Sequence, residues 1–182
     1  ALRSTGFVIR DSGFANPNPR TRTTERHPAF ANPQFPIPSP GLMRADFYLI
    51  AKPRFREQPL RLVCELVRKA YEAEQWTLVL ARDAAQAEEL DDLLWDMGDD
   101  AYIPHQIAGA DIDEDEAAVL IAAPDVDAPL RPLLINLRVG AVEGAFERVL
   151  EVVPADASAR DPLRARWTQY KARGLDVNKH DM

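Results

Sequence analysis

A basic stripe that includes one aromatic residue lies near the C-terminus. Arg160, Arg164, Trp167 and Lys171 follow one another at intervals of four, three and four residues. In a helix, that spacing puts all four on one face. Arginine offers a planar fork for carboxylates, and tryptophan offers a flat apolar platform. Two interpretations are open: a site for an acidic peptide with a hydrophobic end, or a solvated face whose cations favour the helix C-terminus.

A second group of residue types that favour contacts lies between positions 93 and 107. Trp95, Met97, Tyr102 and Ile103 crowd into a predicted helix end and the loop after it. Aromatic residues and methionine are enriched at the centres of protein interfaces. Here too, two interpretations are open: a surface for a protein partner, or the lid of the domain's own core.

Residues that could support catalysis are few and lack partners at diagnostic spacings. The single cysteine, Cys64, lies among apolar residues of a predicted helix, which favours an inert core thiol. His105 follows a proline in a predicted loop, where a hydrogen bond that fixes the loop is the expected role. The acidic run 111–116 lacks the glycine and the ligand pattern of a calcium loop. We therefore predict no catalytic, cofactor-binding or metal-binding residues.

The elements that must position these residues alternate along the chain from Met43 onward. Short apolar runs predict strands, and apolar positions at helical spacing predict helices. The strands are expected at 46–51, 76–81, 117–122, 133–137 and 148–153, and the helices near 58–74, 83–98 and 160–173. Strands that are apolar on both faces and separated by helices imply a three-layer α/β domain. We expect a mostly parallel sheet with helices on both faces.

Capping residues mark the ends of two predicted helices. Asp83 precedes Gln86 by three residues, which is the arrangement of a capping box. Ser158 and Asp161 are alternative N-caps for the last helix, and Gly174 suits a left-handed cap at its end.

The turn after the first predicted strand has the sequence KPRFR, at 52–56. It contains no glycine, and Pro53 lacks an amide donor, so the turn cannot cradle a phosphate with its backbone. The alternative to a binding protein is a small nucleotide- or phosphate-using enzyme on the same α/β fold. It would have to bind its substrate by other means.

Composition limits the function classes. The 182 residues carry a net charge of −7, divided into +3 over residues 1–42 and −10 over residues 43–182. A body this acidic disfavours broad binding to a nucleic-acid backbone, so any DNA contact is expected to be indirect. One cysteine excludes a disulfide framework. The sequence shows neither a membrane span nor a secretory signal, which predicts a cytoplasmic protein.

Residues 1–42 differ from the rest of the chain. They contain seven of the 15 prolines and show no helical or strand periodicity. Proline removes backbone donors, so we expect a disordered tail ahead of a single domain at 43–182. Three interpretations of the tail are open: a functional segment that contacts DNA or presents a proline-rich peptide to a partner, a solvated native segment, or an upstream extension of the reading frame with Met43 as the biological start. We favour the extension.

Several ordered motifs resemble the chi subunit of bacterial DNA polymerase III holoenzyme over about residues 43–178. They are DFYLI at 46–50, LVCELVRKAY at 62–71, DDLLWDMGDDAYIPHQIAG at 91–109, LLINLR at 133–138 and VVPADASARDPLRARWTQYKARGLDVN at 152–178. The resemblance implies a nucleotide-binding-like fold without nucleotide use. It also implies a non-enzymatic accessory of the clamp loader that acts in DNA replication and repair, associated with the nucleoid through the replisome.

The resemblance also implies partners. The family pairs with the psi subunit of the clamp loader and binds the acidic C-terminal tail of the single-stranded-DNA-binding protein. Some members bind a helicase of the XPD-like type at the psi-facing surface. By motif position, Trp95 and Tyr102 would face psi.

The tail-binding positions of the family correspond to Val153, Arg160, Arg164 and Trp167. Trp167 replaces a tyrosine, and Thr168 stands where relatives can have lysine. These departures predict a tail site that relies more on stacking and less on charge.

The tail at 1–42 leads to a first testable prediction. A chain truncated to residues 43–182 should keep the melting temperature and the partner binding of the full chain, because proline-rich polar sequence buries little surface. Thermal unfolding of the two chains tests this. A fall of more than a few degrees on truncation would show that the tail contributes to the folded domain.

Overall fold

The computed structural model describes residues 43–97, 102–109, 116–154 and 156–182. These residues contain seven strands and four α-helices, and a 3-10 turn, Ala157–Ala159, precedes the last helix. In chain order they are β1 Arg44–Leu49, α1 Pro53–Glu57, α2 Pro59–Glu72, β2 Thr77–Leu80, α3 Ala84–Trp95, β3 His105–Ile107, β4 Val119–Ala122, β5 Leu133–Asn136, β6 Arg148–Val153, α4 Arg160–Ala172 and β7 Asp176–Asp181.

The strands form one sheet in the order β3-β4-β2-β5-β6-β1-β7, and every neighbouring pair is parallel. The apolar residues of α1, α2 and α3 pack on one face of the sheet, and those of α4 pack on the other. The predicted three-layer α/β architecture with helices on both faces is therefore confirmed.

Two strands were not predicted, and both lie at an edge of the sheet. His105 belongs to the three-residue strand β3 rather than to a loop. The strand β7 has the polar sequence DVNKHD, so it shows no apolar run. Each edge strand pairs with a single neighbour, and charged residues are usual on exposed edges. The apolar-run criterion finds only the strands that are buried on both faces.

The capping predictions have mixed outcomes. Asp83 accepts a hydrogen bond from the Gln86 amide at 2.8 Å, and Gly174 has the predicted positive φ, at 83°. The predicted caps of the last helix are wrong, because α4 has no side-chain cap on the residue before it. Instead Asp156 accepts from the Ser158 amide at 3.0 Å, one turn earlier. The 3-10 turn that begins there continues into α4.

Cys64 is buried in the core, as predicted, and burial raises the pKa of its thiol to about 11. The described part of the chain contains no helix that is both long and apolar enough to cross a membrane.

A buried carboxylate on β1 fixes the edge strand β7. Asp46 accepts hydrogen bonds from Arg44 at 2.7 Å, from Arg148 on β6 at 2.5 Å and from His180 on β7 at 2.9 Å. Burial acts to raise the pKa of Asp46, but these donors outweigh it and hold that pKa below its usual range. One ionised side chain therefore ties three neighbouring strands together.

A second buried carboxylate fixes α4 on the opposite face. Oε1 of Glu151 on β6 accepts from the Tyr170 hydroxyl at 2.6 Å and from Asn136 on β5 at 2.9 Å. Arg166 forms an ion pair with Glu151, with its Nε 3.1 Å from Oε2. The Tyr170 hydroxyl in turn accepts from the Val142 amide at 2.8 Å.

The same face of α4 also holds the segment between β5 and β6. Arg166 donates to the carbonyls of Arg138 and Val139, each at 2.9 Å. Two turns further along, Arg173 at the end of α4 donates to the carbonyls of Val142 and Gly144. Because these contacts leave α4 one orientation on the sheet, they also determine which of its side chains face solvent.

The buried ion pair leads to a prediction on stability. Arg166→Met should lower the free energy of unfolding by about 3–5 kcal/mol at neutral pH, because it leaves Glu151 buried and unpaired. Burial raises the pKa of Glu151 and the charge of Arg166 acts to lower it, so this pKa should rise further in the variant than in the unchanged protein. A group whose pKa is raised by folding favours the folded state more as the pH falls. The deficit of the variant relative to the unchanged protein should therefore shrink toward about pH 5.

Urea unfolding at both pH values measures this difference. The matched control is Arg164→Met on the exposed face of the same helix, which should change the free energy of unfolding little. An equal deficit for Arg166→Met at both pH values would contradict the role given to the ionised carboxylate.

Candidate functional site

The predicted basic stripe exists as a surface of α4, which we call the α4 stripe: Arg160, Arg164, Trp167 and Lys171. Both arginines and the lysine are exposed, and the tryptophan is half-buried. Lys171 places its Nζ 5.8 Å from the centroid of the Trp167 ring. The four residues therefore lie on one face of α4, with Lys171 beside the Trp167 ring and the two arginines on the preceding turns.

Trp167 is anchored from below by the sheet. Its ring centroid lies 5.0 Å from that of Phe47 on β1, and both rings pack in the apolar cluster on the α4 side. Val153, at the end of β6, is buried in the same cluster. Val153 thus belongs to the apolar floor beneath α4, while Trp167 remains partly exposed to solvent.

The cations of the α4 stripe are only weakly engaged within the chain. Arg164 lies 3.6 Å from Asp161, and both side chains are largely exposed, at 78% and 92%. Such pairs contribute little and are readily exchanged for other partners. Thr168, one residue beyond Trp167, donates its hydroxyl to the Arg164 carbonyl at 2.9 Å. It therefore adds a backbone contact and no charge to this surface.

The second candidate surface is the aromatic pair Trp95 and Tyr102, at the end of α3 and just before β3. Their side chains are 59% and 65% exposed, and their ring centroids are 6.0 Å apart. Trp95 also contacts the ring of His105, with centroids 4.9 Å apart. Two large aromatic rings held at the surface are costly in water and are typical of a protein-binding site.

Ile103 does not belong to the exposed surface predicted for it. It is 2% exposed and packs in the core between the sheet and α3. Its carbonyl accepts a hydrogen bond from Nδ1 of His105 at 2.7 Å, which agrees with the structural role expected for that histidine. The two interpretations of positions 93–107 therefore apply to different residues: the aromatic pair is exposed, and Ile103 is core.

Arg166 is the residue of this region that sequence reasoning missed. An arginine in a helix whose neighbours are polar is ordinarily expected on the surface. Its spacing of four residues from Tyr170 was a usable signal, because the two then share a face.

Metal-binding groupings of histidine, cysteine and acidic residues are absent from the described residues. Of the acidic run 111–116, all but Glu116 lies outside the described residues.

Comparison with known proteins supplies the family. The model of the family described as DNA polymerase III chi subunit, HolC, matches residues 42–178. The DNA polymerase III subunit chi of Pseudomonas aeruginosa is 33% identical over 143 residues, which cover 76% of this chain and 96% of that protein. That of Escherichia coli is 31% identical, over 65% of this chain and 82% of that protein.

A solved structure supports the fold alone. A chain in a complex of S. cerevisiae Dbp5 bound to Nup159, Gle1, IP6 and ADP superposes with a TM-score of 0.52 at 14% identity. The match covers 75% of this chain and 41% of that one.

The matched residues include both candidate surfaces, since the aromatic pair and the α4 stripe lie inside 42–178. The chain belongs to the chi-subunit family of DNA polymerase III, and its role is that of an accessory subunit in DNA replication.

Proposed function

We propose that this chain is a non-catalytic adaptor of the replisome. The aromatic pair binds the psi subunit and so joins the clamp loader. The α4 stripe binds the acidic C-terminal tail of the single-stranded-DNA-binding protein. The adaptor works in the cytoplasm, and its contact with DNA is indirect, through that protein.

The observation that carries the proposal is the arrangement of the α4 stripe. Lys171 lies over the Trp167 ring, and Arg160 and Arg164 extend the same exposed face, on a chain whose residues 43–182 carry a net charge of −10. A local cationic surface on an acidic body attracts an acidic segment while the rest of the body repels it. Phe47 and Val153 belong to the buried apolar cluster in which Trp167 packs, and Trp167, which is partly exposed, supports binding of a terminal apolar side chain.

The aromatic pair supports the second contact. Exposed tryptophan and tyrosine side chains are the residue types that most often dominate binding energy at interfaces. His105 contacts the Trp95 ring and is itself fixed by its hydrogen bond to the carbonyl of the buried Ile103. A helicase of the XPD-like type is the alternative occupant of this surface, and it would exclude psi by competing for the same two rings.

The enzyme hypothesis makes a different prediction. A nucleotide- or phosphate-using enzyme should show a higher melting temperature in the presence of its ligand, because ligand binding stabilises the folded state. We expect no shift with ATP or NAD. A shift that grows with the concentration of either would contradict a purely adaptor role.

The aromatic pair is tested by Tyr102→Ala. We expect binding of psi to weaken by about 2 kcal/mol or more, because the substitution removes one of two exposed aromatic anchors. Isothermal titration of psi into the variant measures this. Arg164→Glu serves as the matched control and should leave psi binding unchanged. Unchanged affinity for psi in a folded Tyr102→Ala protein would contradict the assignment of the aromatic pair as the psi-binding surface.

The α4 stripe is tested by charge reversal at Arg164. Arg164→Glu should weaken binding of the tail peptide more than Arg164→Ala, since it adds repulsion to the loss of an ion pair. Each exposed pair should contribute only about 0.2–1 kcal/mol, and added salt should reduce that contribution.

Removal of the peptide's last apolar residue tests the floor. This change should cost on the order of 1.5–3 kcal/mol, and the cost should persist at high salt. Titration of labelled peptides at low and high salt measures both effects. The stripe is only a solvated helix face if charge reversal has no effect, or if a scrambled acidic peptide binds equally well.

A further inference from the structure

The edge strand β7 presents two charged side chains on the side of the sheet that carries α4. In parallel strands, side chains of register partners point to the same face. Lys179 is the register partner of Phe47, and Asp181 is the partner of Leu49. Phe47 contacts Trp167, and Leu49 packs in the same apolar cluster. Lys179 and Asp181 therefore lie on the α4 face.

The α4 stripe lies on the flank of α4 that is nearest to β7. Arg166 and Tyr170 contact Glu151 on β6, whereas Trp167 contacts Phe47 on β1, the next strand outward. Arg166, Tyr170 and Trp167 follow one another around the helix, and their contacts move from β6 to β1. The flank of α4 that carries Trp167 is therefore the one nearer to β7. The remaining members of the stripe share the flank of Trp167.

These positions define a groove with two walls. One wall is the α4 stripe, and the other is the outer part of β7 with Lys179. Between them lies β1, whose buried Phe47 and partly buried Leu49 belong to the apolar cluster on the α4 side. Cations thus stand on both sides of an apolar floor.

Cations on both walls are paired with carboxylates of their own chain. Lys179 lies 3.1 Å from Asp181, with both side chains at least half exposed. Arg164 lies beside Asp161 in the same way. In each pair, the carboxylate of the chain itself occupies the position that a carboxylate of an acidic ligand would take. Exposed pairs of this kind are weak enough to be exchanged.

We propose that Lys179 is a specificity-determining residue of the tail site, and that its partner Asp181 competes with the acidic peptide for it. The inference rests on the proposed function, because it concerns the same peptide. A ligand with several consecutive carboxylates can displace both internal carboxylates and gains contacts on both walls. A ligand with one carboxylate satisfies only one wall, so the groove discriminates by charge density.

The experiment uses the full chain and a labelled peptide of consecutive aspartates followed by a C-terminal phenylalanine. At low salt, Lys179→Ala should weaken binding roughly two- to five-fold, and Asp181→Asn should strengthen it by a similar factor. Once Lys179 is replaced by alanine, Asp181→Asn should strengthen binding markedly less.

Two matched controls separate local pairing from general charge. Lys69→Ala removes an exposed lysine of α2, in the opposite helical layer, and should leave the affinity unchanged. Asp176→Asn removes an exposed carboxylate from β7 itself, at a position whose register partner Arg44 lies on the other face, and should have little effect. Equal gains from Asp176→Asn and Asp181→Asn would overturn the proposal.

Arg164→Glu distinguishes failure of this inference from failure of the proposed function. If Arg164→Glu weakens binding while Lys179→Ala and Asp181→Asn do not change it, β7 is no wall of the site and the inference is wrong, but the tail-binding function stands. If Arg164→Glu also has no effect, the tail-binding function itself fails.

Discussion

The buried carboxylate of Glu151 is the constraint on which the functional geometry depends. A carboxylate in a sheet interior is costly unless every lone pair finds a donor or a cation. Here the donors come from β5 and α4, and the cation comes from α4. Satisfying that one group therefore fixes the rotation of α4 about its axis. Once Arg166 and Tyr170 face inward, Trp167 must face the floor at Phe47, and the cations of the stripe must face water.

The two buried carboxylates act on opposite faces of the sheet. Asp46 lies on the face opposite to α4 and binds donors on three adjacent strands, including His180 of β7. Glu151 lies on the α4 face and binds the helix. Because hydrogen-bonded charge holds β7 in place, this strand needs few apolar side chains of its own. Its outward positions are then available for charged residues such as Lys179.

The sequence predicted the strands that are buried on both faces, because their residues form apolar runs. The bounds of β6 were predicted as observed, because the run RVLEVV is apolar apart from its buried Glu151 and its first residue. The spacing of the α4 stripe likewise predicted one exposed face. By contrast, β7 and the inward role of Arg166 depend on partners distant along the chain, which no local pattern shows. Ile103 was misplaced for the same reason, since an apolar residue next to exposed aromatics is as well suited to the core as to a surface.

The strand order also sets how the two candidate surfaces are related. The aromatic pair stands at the β3 edge of the sheet and the α4 stripe near its β7 edge, with all seven strands between and including those edges. At about 4.8 Å per step, six steps separate the edge strands by roughly 29 Å. Under the proposed function, the two ligands would share no residue of this chain, so the free energies of the two binding events should add. The proposed function would then make the chain a rigid link, which raises the effective concentration of one ligand near the other without any change of shape.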